Sequence, residues 1–520
     1  MMRLKLMSFF CLLLFARFSA PAQPITPTQI DELVERTLKT FNVPGIAVGI
    51  IKDGKLVHAK GYGVRSLNTK QPVNEHTLFG IASNTKAFTA AALGILVDEG
   101  KLTWDDKVTD HIPEFKMYDP YVTDAFTIRD LLSHRSGLGL GAGDLMFWPD
   151  SNNFSCQDII HNLRFLKPVS GFRSKYDYDN LMYIVAGEIL KRVSGKTWEE
   201  FVETRMFQPL GMMETAPCFK QVTNKTNVID PHAPVNGKVK VIRRDWSNVA
   251  NAAGGIYTNL TDMSKWLITV MDSGRYAGQA HKQLFSEAVH AELWTPHTNI
   301  PVRGQTTYKT HFSSYGLGWY LSDVYGHLQA THTGGLAGVV TQVTLIPELK
   351  LGIMVFTNQQ SSAAFTAITN TIKDSYLGLP VVDRVKQNYQ RVLASEAEAQ
   401  KITEDVWKEI EVEQKKASPV NLDQFTGTYN DKWFGEVSVS RKSGKLWFES
   451  KRSYLLKGDL LPYKGNTFIV KWVDRSMDAD AFVQFGLDKD GKASTLKLNA
   501  ISPLTDFSFD FQDLDFTKID

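Results

Sequence analysis

Two side chains three residues apart could form a nucleophilic pair. Ser83 and Lys86 stand where a turn of small residues runs into an alanine-rich apolar stretch with a helical pattern. On a helix, residues i and i+3 share a face, so the serine hydroxyl would lie beside the lysine amine. Burial disfavours an ammonium ion, and a neutral lysine can accept the proton of the serine. The pair is therefore a candidate nucleophile with its own base.

The surroundings of this pair distinguish it, because the same spacing recurs at Ser494 and Lys497. That second pair lies in an alternating, strand-like run, where residues i and i+3 point to opposite faces. Downstream of Ser83, Tyr178-Asp179-Asn180 precedes an apolar helical stretch, and His332-Thr333-Gly334-Gly335 follows a strand pattern. Another Tyr-x-Asn, Tyr257-Thr258-Asn259, is typical of a helix cap.

In this order, the motifs resemble the serine β-lactamase and penicillin-binding-protein superfamily, and in particular its class C-like serine hydrolases (esterases, D-aminopeptidases, carboxypeptidases). The resemblance covers roughly residues 25–380. It implies an α+β fold, an antiparallel sheet flanked by helices with an all-helical subdomain. Further matching segments are Thr127–Leu138, Ala253–Gly255 and Tyr315–Trp319.

The resemblance also implies a role for each motif residue. Ser83 would be the nucleophile that forms an acyl-enzyme, and Lys86 and Tyr178 would share its proton. Tyr178 would protonate the leaving group and later activate water. A phenol is a poor base near neutral pH, so we expect Lys86 and His332 to lower its pKa as nearby cations.

The remaining motif residues would bind and polarise the substrate. Asn180 would orient Lys86 and donate to the acyl side of the substrate. The backbone N–H groups of Ser83 and Gly335 would form the oxyanion hole, which is typically worth about 3–4 kcal/mol per donor. Thr333 and Gly334 complete this edge, where glycines suit close approach of a substrate.

One departure from the family pattern bears on the substrate. Many β-lactamases and penicillin-binding proteins carry lysine where His332 stands, and a permanent ammonium suits a substrate carboxylate. Histidine is mostly neutral near pH 7, so we expect ester or D-amino-peptide hydrolysis. The alternatives are a D,D-peptidase or β-lactamase, and a binding or scaffold protein that kept the fold. No obvious glutamate has the deacylating role known in class A enzymes, which favours the tyrosine-based scheme.

Composition limits the other classes of function. The chain has 520 residues, of which 43% are hydrophobic and 22% charged, as in a globular protein of two or more domains. The net charge of +2 gives no indication of a nucleic-acid or membrane partner. No Cys/His cluster has zinc-ligand spacing, so we expect no structural metal. The resemblance implies that no cofactor is needed and that the partner is a small-molecule ester or peptide substrate. The oligomeric state stays open.

The first 22 residues are typical of a secretory signal. A basic region with Arg3 and Lys5 precedes an apolar core, Leu6 to Ala16, and Ala20-Pro21-Ala22 suits cleavage. The pattern predicts a secreted or periplasmic protein. Removal of the signal would leave two cysteines, Cys156 and Cys218, which could form a disulfide or stay as thiols.

Hydrophobic periodicity predicts helices and strands that alternate up to residue 380. The irregular, aromatic-rich segment 138–175 would form a wall of the substrate cleft, and His134 is expected to be structural. The predicted helices are 27–42, 83–99, 127–134, 181–193, 198–210, 259–271 and 361–378, and the predicted strands are 46–51, 56–63, 315–320, 328–333, 339–346 and 351–357.

After the predicted hydrolase domain, residues 23–380, the composition and the hydrophobic pattern of the sequence change twice. Residues 381–419 are charge-dense with a helical period, which predicts a linker. Residues 420–520 predict a C-terminal antiparallel β-barrel that resembles the lipocalin-like domains of such hydrolases. We hypothesise that it covers the cleft and restricts substrate size. The predicted barrel strands are 427–429, 436–440, 445–449, 467–473, 481–487, 493–498 and 507–511.

Overall fold

The structure, a computed structural model, describes residues 24–244, 246–276, 282–304, 306–415 and 421–520. The predicted secretory signal, residues 1–22, lies outside the described residues. The described part of the chain forms an antiparallel sheet flanked by helices, a long helix and a closed β-barrel. The predicted α+β class with a C-terminal barrel is confirmed.

An eight-stranded antiparallel sheet is the centre of the first domain, with the strand order β2-β1-β12-β11-β10-β9-β8-β7. The strands of this domain are β1 (Gly45–Lys52), β2 (Lys55–Gly63), β3 (Phe79–Gly80), β4 (His232–Val235), β5 (Lys238–Val241), β6 (Tyr257–Thr258), β7 (Thr298–Asn299), β8 (Ser313–Tyr315), β9 (Tyr320–Val324), β10 (His327–Leu336), β11 (Val339–Ile346) and β12 (Leu351–Thr357). The early hairpin β1–β2 joins the sheet because β1 pairs with β12, from Ile46 opposite Thr357 to Lys52 opposite Leu351.

Helices cover both faces of this sheet. The helices are α1 (Pro27–Phe41), α2 (Thr85–Asp98), α3 (Val108–His111), α4 (Pro120–Ala125), α5 (Ile128–Leu132), α6 (Cys156–Asn162), α7 (Leu181–Ser194), α8 (Trp198–Val202), α9 (Gln208–Leu210), α10 (Asn251–Gly254), α11 (Leu260–Met271), α12 (Glu287–Leu293), α13 (Ser362–Tyr376) and α14 (Arg384–Gln414). Alternate residues of β1 therefore belong to different cores. Ile46 and Val48 pack with α1 and α13, whereas Ala47 packs with α2.

The helix that follows the nucleophile candidate is buried on every side. All residues of α2 from Thr85 to Leu96 are buried, and the helix lies between α7 and α10. Its alanines allow this close approach, and a helix that is apolar all round is expected inside a core rather than at a surface. The start of α2 is therefore fixed from several directions.

Three predicted elements of this domain differ from the structure. A π-helical turn, Glu203–Phe207, separates α8 from α9 where one helix was predicted. The predicted strand 315–320 is a turn between β8 and β9, because Gly318 has a φ of +81° and lies against the backbone of α2. Segment 138–175 is not wholly irregular, since it contains α6 and short 3₁₀ turns.

The C-terminal barrel is closed and has eight strands. They are β13 (Gly427–Asp431), β14 (Gly435–Lys442), β15 (Lys445–Ser450), β16 (Lys457–Lys464), β17 (Thr467–Trp472), β18 (Ala481–Leu487), β19 (Ala493–Ala500) and β20 (Phe516–Lys518). Two of these strands, β16 and β20, were not predicted from the sequence. The last predicted barrel strand, 507–511, is wrong, because these residues belong to the connection between β19 and β20.

Helix α14 spans 31 residues between the two domains. A buried ion pair of 2.7 Å between Arg384 and Asp374 fixes its start to α13. Further along, Val406 and Ile410 pack against Leu461 and other barrel residues. The linker is therefore part of the packing of both domains.

Cys156 and Cys218 are not bridged. Burial raises the pKa of the Cys156 thiol to about 12, so this thiol stays protonated and unreactive. Within the described residues, no helix combines the length and the apolar character that crossing a bilayer requires.

Candidate active site

Ser83 lies in a 3₁₀ turn, Ala82–Asn84, directly before α2. Ala82 has a φ of +49°, a backbone conformation that is strained for a residue with a Cβ and is found most often at functional sites. The side chain of Asn84 holds the turn in place by donating to the carbonyl of Ile81 at 3.1 Å and to Thr341 Oγ1 on β11 at 2.8 Å. The half-buried hydroxyl of Ser83 is thus presented by a turn that its neighbours fix.

Lys86 is completely buried behind Ser83. Its Nζ donates to Ser83 Oγ at 3.1 Å, to Asn180 Oδ1 at 2.7 Å and to the carbonyl of Ala253 at 3.0 Å. Burial lowers the pKa of Lys86 to about 7, although the charges of Asp144 and Asp179 oppose the shift. A substantial neutral fraction near pH 7 makes Lys86 a competent base for the serine proton.

Tyr178 completes the group around the nucleophile. Lys86 Nζ is 4.8 Å from the centre of the Tyr178 ring, and the buried phenol hydroxyl makes no hydrogen bond with the described residues. The expectation that cations lower this pKa is wrong. Burial raises the pKa of Tyr178 well above its ordinary value, and the nearby hydroxyl of Ser83 opposes this only in part. Tyr178 is therefore protonated at neutral pH and suited to donate a proton.

His332 faces the buried side of β10 and is neutral. Its Nε2 lies 2.8 Å from Tyr315 Oη and its Nδ1 lies 2.6 Å from the carbonyl of Thr333. Burial lowers the pKa of His332 to about 3, and the charge of Lys86 acts in the same direction. The imidazole therefore donates from Nδ1 and accepts from Tyr315. It supplies no positive charge to a substrate or to Tyr178.

Residues 333–335 form the opposite edge of the cleft. A Cβ at Gly334 would lie 2.2 Å from the carbonyl of Ile81, so only glycine allows β10 to approach the Ser83 turn. A Cβ at Gly335 would meet no atom within 4 Å, and this position faces open space. Thr333 is exposed beside it. The edge thus leaves room for a bound acyl group.

These residues surround a cleft of about 490 Å³. The cleft contains all the predicted site residues except the buried Lys86. Residues that line it are Ser83, Leu140, Phe147, Trp148, Tyr176, Tyr178, Asn180, Trp246, Tyr320, His332, Thr333, Gly334, Gly335, Val340, Ser362, Phe365, Asp506, Phe507 and Ser508. Much of the wall is aromatic, and residues 506–508 come from the barrel.

The residues that hold Asn180 from behind were not predicted from the sequence. Asn180 Nδ2 donates to Asp144 Oδ2 at 2.8 Å, which fixes the amide with its oxygen towards Lys86. Ser508 of the barrel donates to the same carboxylate oxygen at 2.8 Å. Asp510 accepts from the backbone N–H groups of Gly143 and Leu145 at 2.6 and 3.1 Å. The barrel therefore holds the turn that orients the partner of Lys86.

His134 contacts the site without lining it. Its Nδ1 accepts from the backbone N–H of Asp179 at 3.0 Å, and its ring lies 4.2 Å from that of Tyr178, centre to centre. Burial lowers the pKa of His134 well below its ordinary value. These contacts fit the structural role that the sequence suggests. The competing motifs lie elsewhere: Ser494 is on β19 of the barrel, and Tyr257-Thr258-Asn259 forms β6 and the cap of α11.

Comparison with known proteins gives the family. Residues 30–377 match the family described as Beta-lactamase, and residues 412–518 match a domain of unknown function, DUF3471. Among curated relatives, the unguisins hydrolase ungD of Aspergillus violaceofuscus is 29% identical over 388 residues, 70% of this chain and 68% of its own. Protein flp of Staphylococcus aureus strain N315 is 27% identical over 338 residues, 64% of this chain and 63% of its own.

Solved structures share the fold over both domains. The octameric penicillin-binding protein homologue from Pyrococcus abyssi superposes with a TM-score of 0.59 at 20% identity, over 95% of this chain and 100% of its own. SurE superposes with a TM-score of 0.55 at 18% identity, over 95% and 99%. The family match covers most of the chain, so this protein belongs to the Beta-lactamase family.

Proposed function

We propose that this protein is a serine hydrolase that cleaves esters or small amides, including D-amino-acid peptides, through an acyl-enzyme on Ser83. The observation that carries the proposal is the buried Lys86, with a pKa of about 7 and its Nζ 3.1 Å from Ser83 Oγ. A scaffold protein has no need for a buried amine that is partly uncharged at neutral pH beside a serine. The name of the Aspergillus relative, a hydrolase, supports the same general activity.

Acylation follows from the protonation states of the three residues. Ser83 Oγ attacks the carbonyl carbon of the substrate while neutral Lys86 takes its proton. The backbone N–H groups of Ser83 and Gly335 would stabilise the oxyanion. When the carbonyl re-forms, Tyr178 protonates the leaving alcohol or amine and regains a proton from the Lys86 ammonium. The products of this step are the acyl-serine and the free leaving group.

Deacylation uses the same groups in reverse. Water donates a proton to the Tyr178–Lys86 pair as its oxygen attacks the ester carbon of acyl-Ser83. The bond to Ser83 Oγ then breaks, the proton returns to the serine, and a carboxylic acid leaves. This scheme accounts for both bond-breaking steps with residues that lie within the cleft or directly behind it.

The nucleophile can be tested with a matched pair of variants. Wild type, Ser83→Ala and Ser494→Ala are incubated with a fluorophosphonate probe and a panel of p-nitrophenyl esters. Ser494 has the same Ser-x-x-Lys spacing but lies on β19. We expect wild type and Ser494→Ala to be labelled and active, and Ser83→Ala to be neither.

Other results of this experiment would favour other functions. Labelling or turnover that persists in Ser83→Ala would contradict the nucleophile assignment. A wild-type protein that neither reacts with the probe nor turns over any ester would favour the scaffold alternative. Rapid hydrolysis of nitrocefin would favour a β-lactamase, and release of D-alanine from D-Ala-D-Ala peptides would favour a D,D-peptidase.

We also propose export to the periplasm or the medium through residues 1–22. The basic region, short apolar core and small-residue cleavage site of this segment support the proposal. N-terminal sequencing of the protein recovered from these fractions should find a start just after Ala22. Recovery of the full-length chain from the cytoplasm alone would contradict it.

A further inference from the structure

The connection between β19 and β20 brings a carboxylate into the cleft. Asp506 lines the cleft together with Ser83, and it also lines an adjoining side pocket of about 260 Å³ that opens beside Gly335. The side chain is exposed to these spaces. Its carboxylate accepts a hydrogen bond of 2.9 Å from the backbone N–H of Ser508, and this contact fixes its position at the junction of the two cavities.

The charge of Asp506 has no counter-ion in the described part of the chain. The side pocket is lined by one other charged side chain, Asp478, which is also acidic. The nearby Arg475 is already paired with Asp480 at 2.6 Å, and His332 is neutral. Lys86 lies behind Ser83, with its three donors taken by protein atoms.

The surrounding wall suits an organic cation. Trp148 lines both cavities, and Tyr320 and Phe507 lie among the aromatic side chains of the cleft. Aromatic faces attract ammonium groups, most strongly where water is excluded. A substrate carboxylate would instead meet the negative charge of Asp506 without a cation to compensate it.

We propose that Asp506 is a specificity-determining residue that binds an ammonium group carried by the substrate. The inference rests on the proposed function and narrows its substrate class to esters or amides with a cationic amine near the scissile bond. It also separates this site from one built for the carboxylate of a β-lactam or of a D,D-peptide. The barrel, rather than the catalytic domain, would supply this selectivity.

The test compares substrates that differ in one charge. Ethyl esters and p-nitroanilides of D-alanine are used with a free amine and with an N-acetylated amine, on wild type and Asp506→Asn. Asp490→Asn, on the turn between β18 and β19, is a control with the same change in net charge. We expect wild type to prefer the free amine, and the ratio of kcat/KM values to fall about tenfold or more in Asp506→Asn only.

A second measurement does not depend on the folding of a variant. Butylammonium should compete with fluorophosphonate labelling of wild-type Ser83, and butyrate should not. If the acetylated substrate is cleaved through Ser83 but the ratio stays within about twofold in Asp506→Asn, the ammonium site is wrong and the hydrolase function stands. Equal protection of Ser83 by butylammonium and butyrate would also overturn the proposed ammonium site. If Ser83 is neither labelled nor active, both proposals fall.

Discussion

At the residue scale, the pKa of Lys86 decides when the proposed nucleophile is active. Burial lowers this pKa from 10.5 to about 7. Below pH 7 the ammonium form predominates and cannot accept the proton of Ser83, whereas above pH 7 the free amine can. We therefore expect kcat/KM for an uncharged ester to rise with pH, with an apparent pKa of about 7. Steady-state kinetics from about pH 5.5 to 9 would measure this limb.

A second group near Lys86, the carboxyl of Asp179, could also change the rate near pH 7, so the pH profile needs a control variant. Burial also raises the pKa of Asp179 to about 7, so Asp179→Asn should keep the rising limb if Lys86 causes it. Lys86→Arg carries a permanent charge and should lower kcat/KM by about 10²- to 10⁴-fold. A wild-type profile that is flat through pH 7, or a limb that only Asp179→Asn removes, would rule out Lys86 as the base.

The identities of the chemical groups could be predicted from the sequence, but their protonation states could not. Ser83 and Lys86 are three residues apart on one chain segment, so local geometry brings them together. The pKa of Tyr178 depends instead on burial and on the electrostatic effect of a distant residue, Tyr320 on β9. Nothing near Tyr178 in the sequence indicates that burial, and the expected lowering was therefore wrong in sign.

At the scale of elements, the β19–β20 connection carries a positioning residue. Ser508 donates to the carboxylate oxygen of Asp144 that also accepts from Asn180. Without this hydroxyl the carboxylate can turn, and Asn180 loses part of the restraint that points its oxygen at Lys86. We expect Ser508→Ala to lower kcat about tenfold with a much smaller change in KM, as steady-state kinetics on one ester would show.

Two variants separate positioning from general damage to the barrel. Ser508→Thr keeps the hydroxyl and should restore most of the lost kcat. Ser494→Ala removes a hydroxyl that donates to the carbonyl of Gly486 at 3.3 Å within the barrel, and it should keep wild-type kinetics. A loss of kcat that is equal in Ser508→Ala and Ser494→Ala, or that appears in KM alone, would contradict a role through Asn180.

The β19–β20 connection also shows that alternation of aromatic and polar side chains does not by itself identify a strand. Residues 507–511 alternate aromatic and polar side chains, which predicts a strand. In the structure Ser508 and Asp510 are instead hydrogen-bonded to a turn of the other domain, and that long-range pairing replaces the sheet. The opposite error concerns β16, where Gly458 and Pro462 weaken the strand pattern. Pairing with β15 and β17 on either side still makes it a strand.

At the scale of the whole molecule, the barrel and the hydrolase domain both line the cleft that contains Ser83. The segment that forms a cleft wall is fastened to the barrel at several points. Ser151 and Ser453 are hydrogen-bonded at 2.8 Å, and Asn162 donates to the carbonyl of Trp433 at 2.8 Å. Because these contacts join residues far apart along the chain, the sequence could suggest a cover for the cleft but not the residues that form it.

Phe507 is the side chain through which this arrangement would limit substrate size. Its ring lies 5.9 Å from that of Tyr178, centre to centre, and 40% of the residue is exposed at the cleft. Removing the ring in Phe507→Ala would widen the space beside the proposed proton donor. We expect kcat/KM for a bulky acyl ester, relative to the acetyl ester, to increase on the order of tenfold. Phe312→Ala is the control, since Phe312 is similarly exposed at 42% but does not line the cleft. An unchanged ratio in Phe507→Ala would mean that the barrel holds the catalytic residues in place without selecting substrates by size.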